Sequence, residues 1–248
     1  MKKIFSFLLL FSLTVISVSA QQMEVTYKTI SDNSSTMNYS VKATYPQVNF
    51  GPEALMGVRG IAQDINTAFD TTVNGIVNSF VNDVTKMPEK TVNGNGSSLE
   101  ITSTGWVVNG SLLCSELTTF NYIAGMAHPM TTITTFNFVD NGAGPLALSG
   151  LFRSGSDYLN FISTESIQQL SAYAQKEGMT NISDMILSGA SADAKNFTEW
   201  SISNDSLNII FNPYQVAPYV MGIQRVTIPM TSLISMLDPS GPAGFMIR

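Results

Sequence analysis

Apolar and polar residues alternate along 23–31 and again along 37–48, the period of two expected of half-buried strands. Asp32-Asn33-Ser34-Ser35 between them predicts a turn, and Pro46 marks an edge or an end of the second strand. Over 53–86 the period changes. Ile61, Ile65, Phe69, Val73, Ile76 and Phe80 recur at three- and four-residue spacing, with Gln63, Asp64, Asn66, Asp70, Asn74 and Asn78 largely opposite them. That pattern predicts a long helix with one core-facing stripe, interrupted near Gly57–Gly60 because glycine weakens a helix interior. Beyond the polar loop 87–97 the strand period returns over 98–108, 111–123 and 131–139. Asn109-Gly110 predicts a two-residue type I′ hairpin between the first two of these.

The second half carries shorter signals. A helix is expected over 163–177, capped by Ser163 or Thr164 and ended by Gly178, with a short helix near 182–187. Strands are expected over 197–202 and 206–211 around Asn204-Asp205, and over 225–229, with a helical turn over 230–237. Pro213 and Pro218 stiffen the irregular stretch 212–219. Long strand–helix–strand runs with hairpins predict an α+β fold: a mainly antiparallel sheet packed by one long N-terminal helix and a second shorter helix. The chain divides into a signal peptide (1–20), an N-terminal helix-on-sheet portion (21–139), a C-terminal portion of the same α+β unit (140–238) and a mobile tail (239–248). The later strands are expected to continue the first sheet.

The leader sets the compartment. Lys2 and Lys3 precede an apolar run over 4–18, and Val18-Ser19-Ala20 offers a small-residue cleavage site. The run falls short of the ~20 residues that span a bilayer, so an exported protein, periplasmic or secreted, is expected, with no transmembrane span. No cysteine follows the cleavage site, which argues against lipid attachment. The one cysteine, Cys114, sits in an apolar run and has no partner for an intrachain disulfide.

Charge narrows the partners. The chain has 12 basic and 18 acidic residues, and two of the basic ones lie in the leader. Nucleic acid is excluded as a partner, because its binding needs a clustered basic footprint. Only 12% of residues are charged, and Thr, Ser and Asn supply the remaining polarity, which favours strands and turns.

Familiar catalytic chemistry lacks its parts. A nucleophilic triad needs a histidine base, and His128 is the sole histidine; no G-x-S-x-G elbow occurs. Metal sites usually draw on several His and Cys residues, so no metal and no cofactor are expected. Glu100, Glu116, Asp140, Asp157, Glu165 and Asp205 could in principle supply a glycosidase pair, but nothing in the sequence selects two of them. No catalytic residue is therefore assigned.

Three blocks carry a resemblance. Ala124-Gly125-Met126-Ala127-His128-Pro129 is similar to a Gly-Gly-Ala-His-Pro signature; Phe136-Asn137-Phe138 and Leu146-Ala147-Leu148-Ser149-Gly150-Leu151-Phe152 resemble the strand and L-x-L-S-D-L-F stretch that follow it. The third block runs from Phe211 through Asn212-Pro213-Tyr214 to Val220-Met221-Gly222 and on to Pro229. Together they resemble an exported bacterial domain family found in RsiV-like lysozyme-sensing anti-sigma factors and beside the catalytic domain of PdaC-like peptidoglycan deacetylases. Met126 departs from the family's second glycine and Gly150 from its aspartate. The resemblance implies a fold and a binding role, with a lysozyme-like cationic protein or peptidoglycan as partner. His128, Met126, Tyr214 and Tyr219 are the expected binding residues, and His128 and the 212–222 loop are expected to border one common concave surface. Two other classes stay open: a carboxylate-dependent cell-wall glycan hydrolase and a structural envelope subunit.

Overall fold

The structure, a computed structural model, describes residues 23–50, 56–86, 96–110, 112–139 and 144–247. The expected signal peptide, the first residues of the long helix, most of the loop 87–97 and the turn at 140–143 lie outside them. No helix among the described residues is long and apolar enough to cross a membrane.

The fold is α+β, built around a mainly antiparallel sheet. Strands β1 (Met23–Ser34), β2 (Tyr39–Phe50), β3 (Ser97–Val108), β4 (Leu112–Tyr122) and β5 (Met130–Val139) form a five-stranded sheet in sequential order. Helix α1 (Met56–Lys86) makes the crossover between β2 and β3, and these two strands pair in parallel only over Tyr39–Ala43. The expected break near Gly57–Gly60 does not occur; the helix runs through it. Its buried stripe is Ile65, Phe69, Val73, Val77 and Phe80, packed on Val41, Ala43, Leu99, Ile101, Leu117 and Phe138. Ile61 and Ile76, expected in that stripe, are only partly buried.

Two turns differ from expectation. The β1–β2 register pairs Ser34 with Tyr39, so β1 consumes Asp32–Ser34 and the chain reverses over 35–38, where Asn38 has φ 51°. Asn109 and Gly110 both have positive φ, as a type I′ turn requires, yet Val108 pairs with Leu112, so the connection is three residues long.

The later strands do not extend the first sheet. β6 (Trp200–Ile202), β7 (Ser206–Phe211) and β8 (Gln224–Pro229) form a separate antiparallel three-stranded sheet. Helices α2 (Tyr158–Lys176) and α3 (Ser183–Gly189) share its core, with Ile162, Leu170 and Ile186 among Trp200, Leu207, Ile209 and Val226. β4 serves both cores because alternate side chains face opposite sides of a strand. Leu113 and Leu117 meet the α1 side, while Leu112 and Cys114 meet the second core. The sheets are cross-tied by Trp106 Nε1, which donates to Ile202 O at 2.8 Å, and by the two-pronged pairing of Arg225 with Glu116 at 2.6 and 3.1 Å.

Helix α2 starts at Tyr158, before the expected Ser163 or Thr164 cap. Its first turn is partly buried, with Tyr158 stacked on Phe152 at a ring-centroid distance of 4.3 Å. Ser163 is consequently an interior residue, donating to Ala190 O at 2.7 Å. Gly178, with φ 72°, follows the helix end as expected. The segment expected to be a mobile tail packs instead: Ala243 is fully buried, and Phe245, Met246 and Ile247 lie against the second core.

Three carboxamide side chains complete strand edges. Asn66 of α1 accepts from Val48 N at 2.7 Å and donates to Val48 O at 2.9 Å, where β2 has already parted from β3. Asn212 does the same for Ile133 of β5, at 2.7 and 2.9 Å. Gln169 of α2 bridges both groups of Thr227 on β8, at 3.0 and 3.3 Å. An amide side chain carries one acceptor and a donor pair in peptide-like geometry, so each substitutes for one residue of a missing strand.

Candidate functional site

The turn after β4 is closed by a hydrogen bond from Met126 N to Ile123 O at 3.0 Å, with Gly125 at φ 91°. It presents His128 to the 212–222 loop. The His128 ring stacks on Tyr219 with centroids 3.8 Å apart and planes 24° off parallel. Its Nδ1 lies 3.0 Å from Pro129 O and its Nε2 3.2 Å from the Tyr214 hydroxyl. A carbonyl oxygen only accepts, so Nδ1 carries the proton, and in the neutral ring Nε2 accepts from Tyr214. Tyr219 in turn donates its hydroxyl to Pro129 O at 2.6 Å. Nδ1 thus fixes the ring within its own turn, while Nε2 and the stacked face tie that turn to the 212–222 loop.

The loop is pinned from behind. Asn212 clamps it to β5, and the Gln215 side chain donates to Gly189 O and Asn196 O at 3.2 and 2.9 Å. A Cβ at position 189 would stand 2.0 Å from Gln215 O, so only glycine permits this approach. Tyr214 has φ 71°, a left-handed backbone that a bulky side chain adopts at a cost. Its amide donates to Ala217 O at 3.1 Å, and the residue is 52% exposed. Met126 and Val220 are likewise exposed, at 55% and 79%.

The structure therefore brings His128, Tyr214 and Tyr219 together, and places Met126 on the adjoining turn. Val220 belongs to the same surface and was missed, since a lone valine between Tyr219 and Met221 carries no signal of exposure. A cleft of about 520 Å³ lies beside the stack, lined by Thr131, Pro213, Tyr219, Val220, Gly222 and Ile223. Tyr219 belongs to both the stack and the cleft; His128 is not among the cleft's walls.

Three of the carboxylates singled out in the sequence are held by neighbouring side chains. Glu116 is engaged by Arg225 and by Ser201 at 3.1 Å, Asp205 by Ser203 and Ser206, and Asp157 by Asn160 at 2.6 Å. Asp140 lies outside the described residues. Among the described residues, no three of His, Cys, Asp and Glu converge as a metal-binding group. Glu199, which no sequence feature marked, is a carboxylate whose surroundings alter its titration. Burial raises its pKa above the ordinary value, opposed by hydrogen bonds from Thr135 N at 2.5 Å and from the Thr135 and Thr198 hydroxyls. Burial likewise pushes the Cys114 thiol up to about 11, so it is an unreactive packed group.

Residues 149–231 match a family model described as a protein of unknown function, DUF3298. The match spans α2 and the β6–β8 sheet and leaves the His128 turn outside. The chain is similar across 92% of its length to a crystal structure of a DUF3298 family member from Bacteroides fragilis, at 19% identity and a TM-score of 0.60, covering 98% of that chain. It is also similar to a DUF3298 family protein from Pseudomonas aeruginosa, at 14% identity and a TM-score of 0.55, over 89% of this chain and 96% of that one. At such identities the likeness establishes a common fold. No curated protein matches the chain.

Proposed function

We propose that this protein is a non-catalytic binding module exported to the bacterial envelope or exterior. Its contact surface is the His128–Tyr219 stack with Tyr214, Met126 and Val220 exposed around it. The observation that carries this reading is Tyr214: a bulky residue held at positive φ, its hydroxyl on His128 and half its surface in solvent. Strain retained at an exposed aromatic residue is a mark of function. Tyrosine and methionine are also enriched at the centres of protein interfaces.

The partner favoured is a cationic protein of the lysozyme type. The chain's net charge of −6 assists encounter with such a partner, and the resemblance to RsiV-like and PdaC-like domains points the same way. Calorimetric titration with lysozyme, and separately with soluble peptidoglycan fragments, tests the reading. Saturable binding to lysozyme is expected, weakened roughly 30-fold by Tyr214→Ala as for a hot-spot residue. Absence of binding to both at moderate salt overturns it.

A further inference from the structure

The outer edge of β5 is closed residue by residue, with one gap. An edge strand turns the N–H and C=O of alternate residues away from its neighbour, and on β5 these are the odd-numbered positions. Ile133 N and O are taken by Asn212. Thr135 N donates to Glu199, and Asn137 O accepts from Leu146 N at 2.6 Å while its Nδ2 holds Trp200 O at 2.7 Å. Just before the strand, Pro129 O accepts from the Tyr219 hydroxyl. Thr131 has the same outward parity, because β4 and β5 pair in unbroken register from Met130 to Val139. No described residue bonds to its N–H or C=O on that side.

This open pair faces the cleft beside the ring stack. The 212–222 loop meets the edge on either side of Thr131, through Asn212 at Ile133 and through Tyr219 at Pro129. Between these two ties lies the space of about 520 Å³, lined by Thr131 from the strand and by Pro213, Tyr219, Val220, Gly222 and Ile223 from the loop. Its volume and largely apolar walls suit a small molecule.

The chemistry it accepts is narrow, since the open pair is one donor beside one acceptor. A carboxylate would set an oxygen against Thr131 O, and an amidinium would set an N–H against Thr131 N. No charged side chain lines the cleft to offset burial of either ion. A secondary amide in the trans form carries its N–H on the side away from its C=O and cannot meet both groups. A primary carboxamide keeps one N–H beside its oxygen. Asn212 shows that fit two residues along the same edge, at 2.7 and 2.9 Å. An added peptide strand is shut out, because Asn212 and Tyr219 occupy the edge on both sides.

We infer that this cleft binds a small molecule bearing a primary carboxamide on an apolar body. Thr131 N donates to the carboxamide oxygen, Thr131 O accepts from its N–H, and the apolar body lies against Pro213, Val220 and Ile223. The inference does not rest on the lysozyme reading, because a small amide can fill this cleft whether or not a protein covers the rings beside it.

Amide-resolved NMR titration of the folded protein tests it with three probes that share a ring. Benzamide offers the paired oxygen and N–H; N-methylbenzamide and methyl benzoate do not. Benzamide is expected to shift the Thr131 and Ile223 amide resonances saturably, and the other two to bind about tenfold more weakly, the effect of one neutral hydrogen bond. Thr131→Pro deletes the outward N–H, a change that an edge strand accepts, and should erase the preference as read at Ile223. Val220→Trp at the exposed rim is a second variant, expected to crowd the cleft and weaken all three probes. An unmoved Trp106 indole resonance, bonded to Ile202 O, marks the fold as intact in both. Equal affinity for the three probes, a preference that survives Thr131→Pro, undiminished binding by Val220→Trp, or no shift at Thr131 overturns the proposal.

Discussion

Helix α1 and the 212–222 loop are both fastened to the five-stranded sheet by an asparagine that mimics a peptide, yet the two attachments differ in kind. Asn66 works beside an apolar stripe running the length of α1, so the helix would stay on the sheet through burial alone. Asn212 fastens a loop whose apolar residues Val216 and Ala217 are buried in the second core; its ties toward β5 and the turn before it are the Asn212 side chain, two tyrosine hydroxyls and His128. The helix is held on the sheet chiefly by apolar burial with a polar supplement, whereas the loop's ties to β5 and the His128 turn are chiefly polar. Hydrophobic burial is non-directional and tolerates small displacements, whereas hydrogen bonds fix position and angle. A surface that must present particular rings in particular orientations is better held by the second kind.

The largest expected effect tests the hydrophobic attachment. Phe69→Ala, removing a fully buried ring between Phe136 and Phe138, should cost about 3–5 kcal/mol in urea unfolding. Among molecules that remain folded, lysozyme affinity should be little changed.

The paired asparagines come next. Asn212→Ala and Asn66→Ala each strand one N–H and one C=O, and each should cost about 2 kcal/mol. Only the former should abolish partner binding, since only it releases the loop. Equal binding by both variants would break the comparison.

A pH effect sharpens it further, because Glu199 is the other side chain that seals β5 near the site, through Thr135 N. Its folded pKa is raised above the ordinary 4.5 by burial. The folded state therefore holds the proton more tightly. The associated stability is complete below about pH 4.5 and is lost as pH rises through the raised value. Glu199→Gln keeps the acceptor for Thr135 and should flatten this part of the urea midpoint profile between pH 4 and 8.

The smallest effect is the most diagnostic. Tyr214→Gly relieves the left-handed strain while removing a half-exposed ring, and should raise stability by less than about 1 kcal/mol. Binding should nevertheless be lost. A variant that unfolds more easily and still binds would show that Tyr214 serves the fold instead.

Much of the scaffold was legible. The strands and the long helix follow from periods of two and about 3.6, which are local properties of neighbouring residues. The site was legible in part. His128 stood out as the only histidine, and Pro213 and Pro218 marked the loop that meets it. Asn66 and Asn212 were not recognisable as clamps, because a polar residue opposite an apolar stripe normally faces water. Glu199 and Asn137 gave no signal either. Their burial depends on β6 crossing β5, a contact between residues more than sixty positions apart.

The sequence alone thus determined the elements, their order and the α+β class, since these depend on side-chain pattern over a few turns. The tertiary structure alone decided that the last three strands form their own sheet and that the C-terminal segment packs. It also decided that His128 joins two loops, through Nε2 on Tyr214 and its ring face on Tyr219. Those outcomes rest on which backbone edges remain unpaired once the first sheet has formed, and a buried unpaired edge must find partners wherever in the chain they lie.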